Sequence, residues 1–249
     1  MGVVTYRDAT AIVQLIFFVP YLVCGLFLCH RQGWRRRGGW LIIVLFSVLR
    51  IIGAAFQLAT ISQPTRSIYA GALVTESIGI APLIGISIGM LGRLNGHLQK
   101  PIHRIFFILL FIASLTGIGI ASGSASVPVP PDSPSPFVAN YLTKTAVVIF
   151  TAEYLATGLM FLIIFVQRIE IPSPEGRLLT CVAVCSPFII ARLIYGLLAA
   201  FSYDLKFNIL IGDTTIYFIL SVLTEIIAVG ISVVVGLSLP QIPIPDVRV

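Results

Sequence analysis

Residues Trp40 to Gln57 read WLIIVLFSVLRIIGAAFQ, an apolar run broken by a single charge, Arg50. A helix needs about 20 apolar residues to cross a ~30 Å hydrocarbon core, and with Leu58 and Ala59 this stretch is long enough. No soluble helix keeps such a stripe-free apolar surface unless it is sealed inside a much larger protein. An arginine at mid-depth costs roughly 2.5–3.5 kcal/mol on insertion scales. It must therefore turn inward and find a partner.

The rest of the chain repeats this pattern. Of its 249 residues, 57% are hydrophobic and 10% charged, with a mean hydropathy of +1.02. Soluble domains carry about a quarter charged residues, so there are too few charges here to coat a water-facing surface. Apolar stretches of spanning length lie at about 9–29, 40–59, 68–91, 102–121, 145–166, 178–201 and 215–237. The predicted fold class is all-α: a polytopic membrane bundle of seven transmembrane helices forming one domain, with no convincing internal repeat. The connections are short and rich in breakers, apart from a stiff loop containing Val127-Pro128-Val129-Pro130-Pro131 and Ser133-Pro134-Ser135-Pro136. The first apolar run lacks a basic segment before it and a small-residue cleavage site after it, so it is expected to serve as its own insertion signal.

Basic residues set the orientation. Arg31, Arg35, Arg36, Arg37, Arg93, Lys100, Arg104, Arg168, Arg177 and Arg248 fall on one side; Arg7, Arg66, Lys144 and Lys206 fall on the other. The richer side is expected to be cytosolic, which puts the N-terminus outside or in a lumen and the C-terminus in the cytosol. The membrane is either the endoplasmic reticulum or the plasma membrane. The net charge of +6 reflects this asymmetry beside anionic headgroups. It forms no stripe on a soluble module, so nucleic acid is not an expected partner. Trp34, Trp40, Tyr69, Tyr141 and Tyr203 are expected in the headgroup layer. Gly85 and Gly89 on the third run favour close helix packing within the chain, and Pro20, Pro82 and Pro187 are expected to kink their helices. Cys24, Cys29, Cys181 and Cys185 all lie in apolar runs and read as reduced packing residues. Neither a metal nor a cofactor is expected, because His30, His97 and His103 sit at the cytosolic ends, far from any carboxylate cluster.

Five ionisable groups lie within the spans: Arg50, Glu76, Glu153, Arg192 and Glu225. Their heights, counted at about 1.5 Å per residue, fall between the outer half and the midplane, so one shared, enclosed centre is expected. Three acids face two arginines there, and the odd carboxyl is expected to stay a neutral acid, able to protonate an alkene or epoxide or to shuttle a proton. Glu76, Glu153 and Glu225 are thus the candidate catalytic groups. Arg50 and Arg192 are the charge-pairing residues, and Gln57, Tyr154 and Tyr195 are nearby hydrogen-bonding or substrate-binding groups, with Thr75, Ser77 and Thr224 as further donors.

Several segments carry a resemblance: WLIIVLFSVLRIIGAAFQ from Trp40, ESIGIAPLIGISIGMLGRLN from Glu76, PFIIARLIYGLLAAF from Pro187 and TTIYFILSVLTEIIAVGISVVVGLSLP from Thr214. Together they resemble a family of small fungal seven-span membrane proteins catalogued as domain of unknown function 7702. The resemblance implies a fungal source and the seven-span layout, and supplies no activity. The architecture is also similar to that of fungal membrane-bound terpene cyclases, which use buried acids. No span contains a lysine to hold a retinal, and the receptor signatures Asp-Arg-Tyr and Asn-Pro-x-x-Tyr are missing.

Three classes of function follow. The first is an acid/base enzyme, a cyclase or isomerase acting on a lipophilic substrate in specialised metabolism. The second is a seven-helix sensor or a lipid or small-molecule translocator, and the third is a structural or accessory membrane protein. In each case the bilayer is the first partner. The first two add a lipophilic small-molecule ligand, and the oligomeric state is open.

Overall fold

An uninterrupted apolar run coils in lipid because only an intrasegment helix satisfies every backbone N–H and C=O without water. The computed structural model describes residues 5–32, 39–63, 65–127, 139–202, 204–208 and 212–240. The proline-rich loop beyond Val127, Trp34, Arg35, Arg36, Arg37, Tyr203 and Arg248 lie outside them. Among the described residues the long elements are α1 (Tyr6–Gln32), α2 (Trp40–Ala59), α3 (Arg66–Ile78), α4 (Ile80–Asn95), α5 (Arg104–Gly123), α6 (Tyr141–Val166), α7 (Ser173–Phe201), the short α8 (Thr214–Tyr217) and α9 (Thr224–Ser238). A π-helical turn, Phe218–Leu223, joins α8 to α9. Taken as spans, α3 with α4 makes the third and α8 through α9 the seventh, giving seven helices long and apolar enough to cross a membrane.

Several spans run a turn or more past the apolar runs that predict them. Span six begins at Ser173, with a proline in its first helical turn, where the missing N–H costs nothing. Span three is the hub: 67% of its most apolar window is buried, against 17% for the span formed around α5. α4 packs on α2, α5, α6, α7 and α9. The outer faces stay apolar, as on α5, where Ile105, Phe106, Leu109, Phe111, Ile112 and Leu115 are exposed. Against a hydrocarbon solvent that is no defect. Gly85 packs on the Ile42 side chain of α2, while Gly39, at φ 77°, lies against Ile86 and Gly89, so the small-residue face of α4 is used inside the bundle.

One expectation changes. Trp40 faces into the bundle rather than toward headgroups: it is 2% exposed, its ring lying where a Cβ on Gly236 would be, with Leu28 also beside that point. Arg93 is buried too, as described below. For orientation, the N end of the bundle is the one bearing Tyr6, and the C end the one bearing Gln32 and Ser238.

Candidate functional site

Span three does not run straight past Arg50. Pro82 has no N–H, so the carbonyl of Ile78 loses its usual helical partner. At the junction of α3 and α4, the Gly79 N–H donates to the Glu76 carbonyl at 3.3 Å. Gly79 has an ordinary helical φ of −56°, so its conformation does not require glycine. Its space does: a Cβ there would lie 2.0 Å from Arg50 Nη2 and 2.7 Å from its Cζ. The guanidinium lies across the break, and Arg50 Nη1 reaches the Thr75 carbonyl at 3.5 Å.

Around that guanidinium, four charges close a ring. Glu76 Oε2 accepts from Arg50 Nη1 at 2.7 Å and from the Tyr217 hydroxyl at 2.9 Å. Its Oε1 accepts from Arg192 Nη2 at 3.0 Å and from Ser221 Oγ at 2.6 Å. Glu225 Oε1 takes Arg50 Nη2 and, at 2.7 Å, Arg192 Nε. Arg192 Nη2 also donates to the Glu76 backbone carbonyl at 2.8 Å. All four side chains are almost wholly buried, Arg50 at 1% exposed and Glu225 at 0%. If they faced lipid, the four would cost about 10–14 kcal/mol on insertion scales. Paired, they cancel in charge. Two buried atoms of the ring, Arg50 Nε and Glu225 Oε2, have no hydrogen-bond partner among the described residues.

The π turn explains how the seventh span supplies three groups to this ring. An α-helix advances ~40° beyond a full turn every four residues, so Tyr217, Ser221 and Glu225 would drift apart by ~80° on a regular helix. The wider turn over Phe218–Leu223 takes up that excess and keeps the three side chains in one column. π turns of this kind occur often at functional sites.

The expected centre of five charges is therefore a centre of four, with Glu153 apart from it. Glu153 sits on the face of α6 that packs against α5, where it accepts from Ser114 Oγ. Its Oε2 is buried without a partner. Within the ring two arginines and two glutamates already balance. The side chains of the other expected members make their hydrogen bonds outside the ring. Gln57 donates to Asp8 Oδ1 at 3.1 Å, and the Tyr154 hydroxyl pairs with Ser186 Oγ at 2.5 Å. Tyr195 borders the ring through its own ring, 5.8 Å from the Arg192 guanidinium and 6.2 Å from the Tyr217 ring. Thr75, Ser77 and Thr224 spend their hydroxyls on carbonyls of their own helices.

Two cavities flank the ring. One, of about 400 Å³, is polar and lined by Arg7, Thr10, Gln14 and Gln57 together with Arg50, Glu76 and Tyr217. The other, also about 400 Å³, is largely apolar; Ile80, Val147 and Phe150 line it, with Arg192 at its edge and Ser77, Ser124 and Thr143 among its polar groups. Both are tight, with freely accessible room for no more than about two water molecules each.

A second polar knot closes the C end. Arg93 grips Glu175 in a two-pronged pair, Nε to Oε2 at 2.7 Å and Nη2 to Oε1 at 2.5 Å, and its Nη1 donates to Gln32 Oε1 at 3.2 Å. Arg31 donates to the carbonyls of Leu237 and Leu239, and Arg177 to that of Ser238. These carbonyls belong to the end of α9, where a helix leaves acceptors unsatisfied. Residues that mark orientation in the sequence thus also fasten the last span.

Residues 4–242 match a family described as "Domain of unknown function (DUF7702)". The chain belongs to this family. The DUF7702 match takes in the break at Gly79, the π turn, both arginines and all three intramembrane glutamates. No curated protein matches the chain.

Proposed function

We propose that this DUF7702 protein binds a small amphiphile near the N end of the bundle and uses the four-charge ring as the gate that reads or passes it, a sensor-like or translocator role. The position of the ring carries this reading: Arg50, Glu76 and Tyr217 face a polar vestibule, while Arg192 borders an apolar slot on the other side. An amphiphile has chemistry for both. Its acidic or hydroxylated head competes with Glu76 or Glu225 for a guanidinium, and its tail suits the slot. Because both cavities are tight, an occupant has to part the ring, and a site whose occupancy rearranges a buried ion network has the differential contacts a switch needs. On the orientation drawn from the basic residues, the vestibule opens outside the cytosol, at the plasma membrane or the lumenal face of the endoplasmic reticulum.

Acid/base catalysis by a cyclase or isomerase ranks second. Glu76 and Glu225 are committed to guanidinium donors, which disfavours proton donation from either. Glu153 is the observation in favour: it has no arginine beside it and one oxygen without a partner. It lines neither of the two cavities flanking the ring. A fungal source and a place in specialised metabolism rest on the sequence resemblances.

The test uses the full chain in lipid nanodiscs with a dansyl-labelled medium-chain fatty acid. The wild type is expected to give saturable fluorescence enhancement. The charge-balanced double variant Arg192→Met/Glu225→Met is expected to fold and to bind at least about tenfold more weakly, a difference of ~1.4 kcal/mol. Glu153→Gln is expected to bind as the wild type. Absence of saturable binding in the wild type, or unchanged binding in the folded double variant, overturns the gate.

A further inference from the structure

Away from the ring, a third cavity of about 340 Å³ lies between α4, α6 and α7, lined among others by Tyr154, Thr157, Gly158, Phe161, Ala183 and Ser186. Ala183 is exposed and Tyr154, Gly158, Phe161 and Ser186 are half-buried, so it opens sideways toward the acyl chains rather than toward water.

Its polar groups are out of place for a lipid-facing recess. Tyr154 and Ser186 lie near the middle of their helices. Their hydroxyls meet at 2.5 Å, and the tyrosine hydroxyl also reaches the Ser186 carbonyl at 3.3 Å. Pro187, one residue on, has no N–H, so the carbonyl of Ala183 on the cavity wall lacks its usual partner. In hydrocarbon each unsatisfied backbone group costs several kcal/mol. Thr157 adds a wall hydroxyl that is turned back to the Glu153 carbonyl at 2.8 Å. One turn along α6 from Tyr154, a Cβ on Gly158 would meet nothing within 4 Å, so the glycine leaves space that the packing of the helices does not demand.

We propose that this recess is a second site, separate from the charge ring, which takes from the bilayer a lipid-soluble molecule bearing a hydroxyl near the middle of its length. The height of Tyr154 and Ser186 sets the position of that hydroxyl. A hydroxyl both donates and accepts: it gives its proton to the Ala183 carbonyl and receives one from the Tyr154–Ser186 pair, whereas a carbonyl does only the second. One apolar length lies along Phe161 and Val182, on the C-end side of the hydroxyl pair, and the other passes Ile189 and runs out among the acyl chains.

The full chain, reconstituted in phosphatidylcholine vesicles, is irradiated with a diazirine-bearing methyl 12-hydroxystearate or with its 12-deoxy counterpart. Peptides covering residues 154–161 and 182–189 are expected to be labelled about three- to tenfold more by the hydroxylated probe, the range set by intramembrane hydrogen bonds. Gly158→Leu places a branched side chain in the recess, its first carbon meeting nothing within 4 Å, and is expected to abolish this labelling; Tyr154→Phe/Ser186→Ala is expected to lower the preference without abolishing it, since the Ala183 carbonyl still accepts. Equal labelling by both probes in the wild type, labelling spread along the exposed face of α5, or preference retained in monodisperse Gly158→Leu protein overturns the site. None of these results bears on binding at the charge ring, which the fatty-acid assay reads separately.

Discussion

Replacing Arg192 with methionine removes three hydrogen bonds at once: Nε to Glu225 Oε1 at 2.7 Å, and Nη2 to Glu76 Oε1 at 3.0 Å and to the Glu76 carbonyl at 2.8 Å. What remains is two buried carboxylates sharing one guanidinium. Breaking a buried ion pair from one side costs roughly 3–5 kcal/mol, because the stranded charge keeps its desolvation penalty. Removing Glu225 as well restores the balance, with Arg50 on Glu76 and Tyr217 and Ser221 still donating to the same carboxylate. Replacement of a buried pair by apolar groups of similar volume is often close to neutral, so Arg192→Met/Glu225→Met is expected within about 2 kcal/mol of the wild type. Glu225→Met alone strands a guanidinium at a similar cost, so the coupling energy between the two substitutions is at least about 4 kcal/mol, well above the few tenths seen for independent sites. Unfolding in mixed micelles by dodecyl sulfate, followed by far-ultraviolet circular dichroism, supplies the four free energies of the cycle. A double variant as unstable as the sum of the two single ones would refute the ring, since additivity means that the charges do not meet.

Gly79→Ala is expected to destabilise the bundle by about 2–3 kcal/mol in the same assay, since the added methyl overlaps the Arg50 guanidinium and a displaced buried charge loses its partners. Gly119→Ala, which meets nothing within 4 Å, is the control, expected within ~0.5 kcal/mol of the wild type. Tyr217→Phe removes a single donor to Glu76 and is expected to cost about 1–2 kcal/mol; its absence from the fatty-acid binding isotherm would limit Tyr217 to holding the ring. Glu175→Gln weakens the two-pronged grip of Arg93 at the C end, and hydrogen exchange in the first turns of α7 is expected to rise while the amides around Glu76 keep their protection. An equal rise at both ends would mean that the two polar knots unfold as one unit.

The membrane reading was legible because it needs only run length and charge count. The meeting of Arg50, Glu76, Arg192 and Glu225 was legible because a charge inside a span must find a partner and their heights agree. Height, however, says nothing of direction around the helix axis. Glu153 shares a depth with the others, yet α6 turns it toward Ser114. Gly79 looks like any glycine in an apolar run until the arginine crossing it is seen. Tyr217, Ser221 and Glu225 stand at intervals of four, a pattern visible in the sequence, but on a regular helix it drifts, and nothing local announces the π turn that removes the drift. Arg93 and Glu175 are 82 positions apart in sequence, so a basic residue at a span end is read as a topology marker although burial makes it a clamp.

The two least regular spans supply both carboxylates of the ring, and that coincidence has a physical reading. Seven straight helices would have been the simpler way to cross a bilayer, since every departure from the α-helical ladder leaves backbone groups to be satisfied in a medium that offers no water. Here the ring supplies donors beside the break in span three: Arg192 donates to the Glu76 carbonyl and Arg50 reaches that of Thr75, both in the turn that Gly79 interrupts. The charges therefore compensate the broken backbone while the broken backbone makes room for the charges. A ring needed only to tie helices together has no use for that mutual dependence, because ion pairs between regular helices suffice. One that must open has every use for it: a head group that withdraws one guanidinium strands a carboxylate and a backbone carbonyl together, coupling occupancy of the vestibule to the shape of span three.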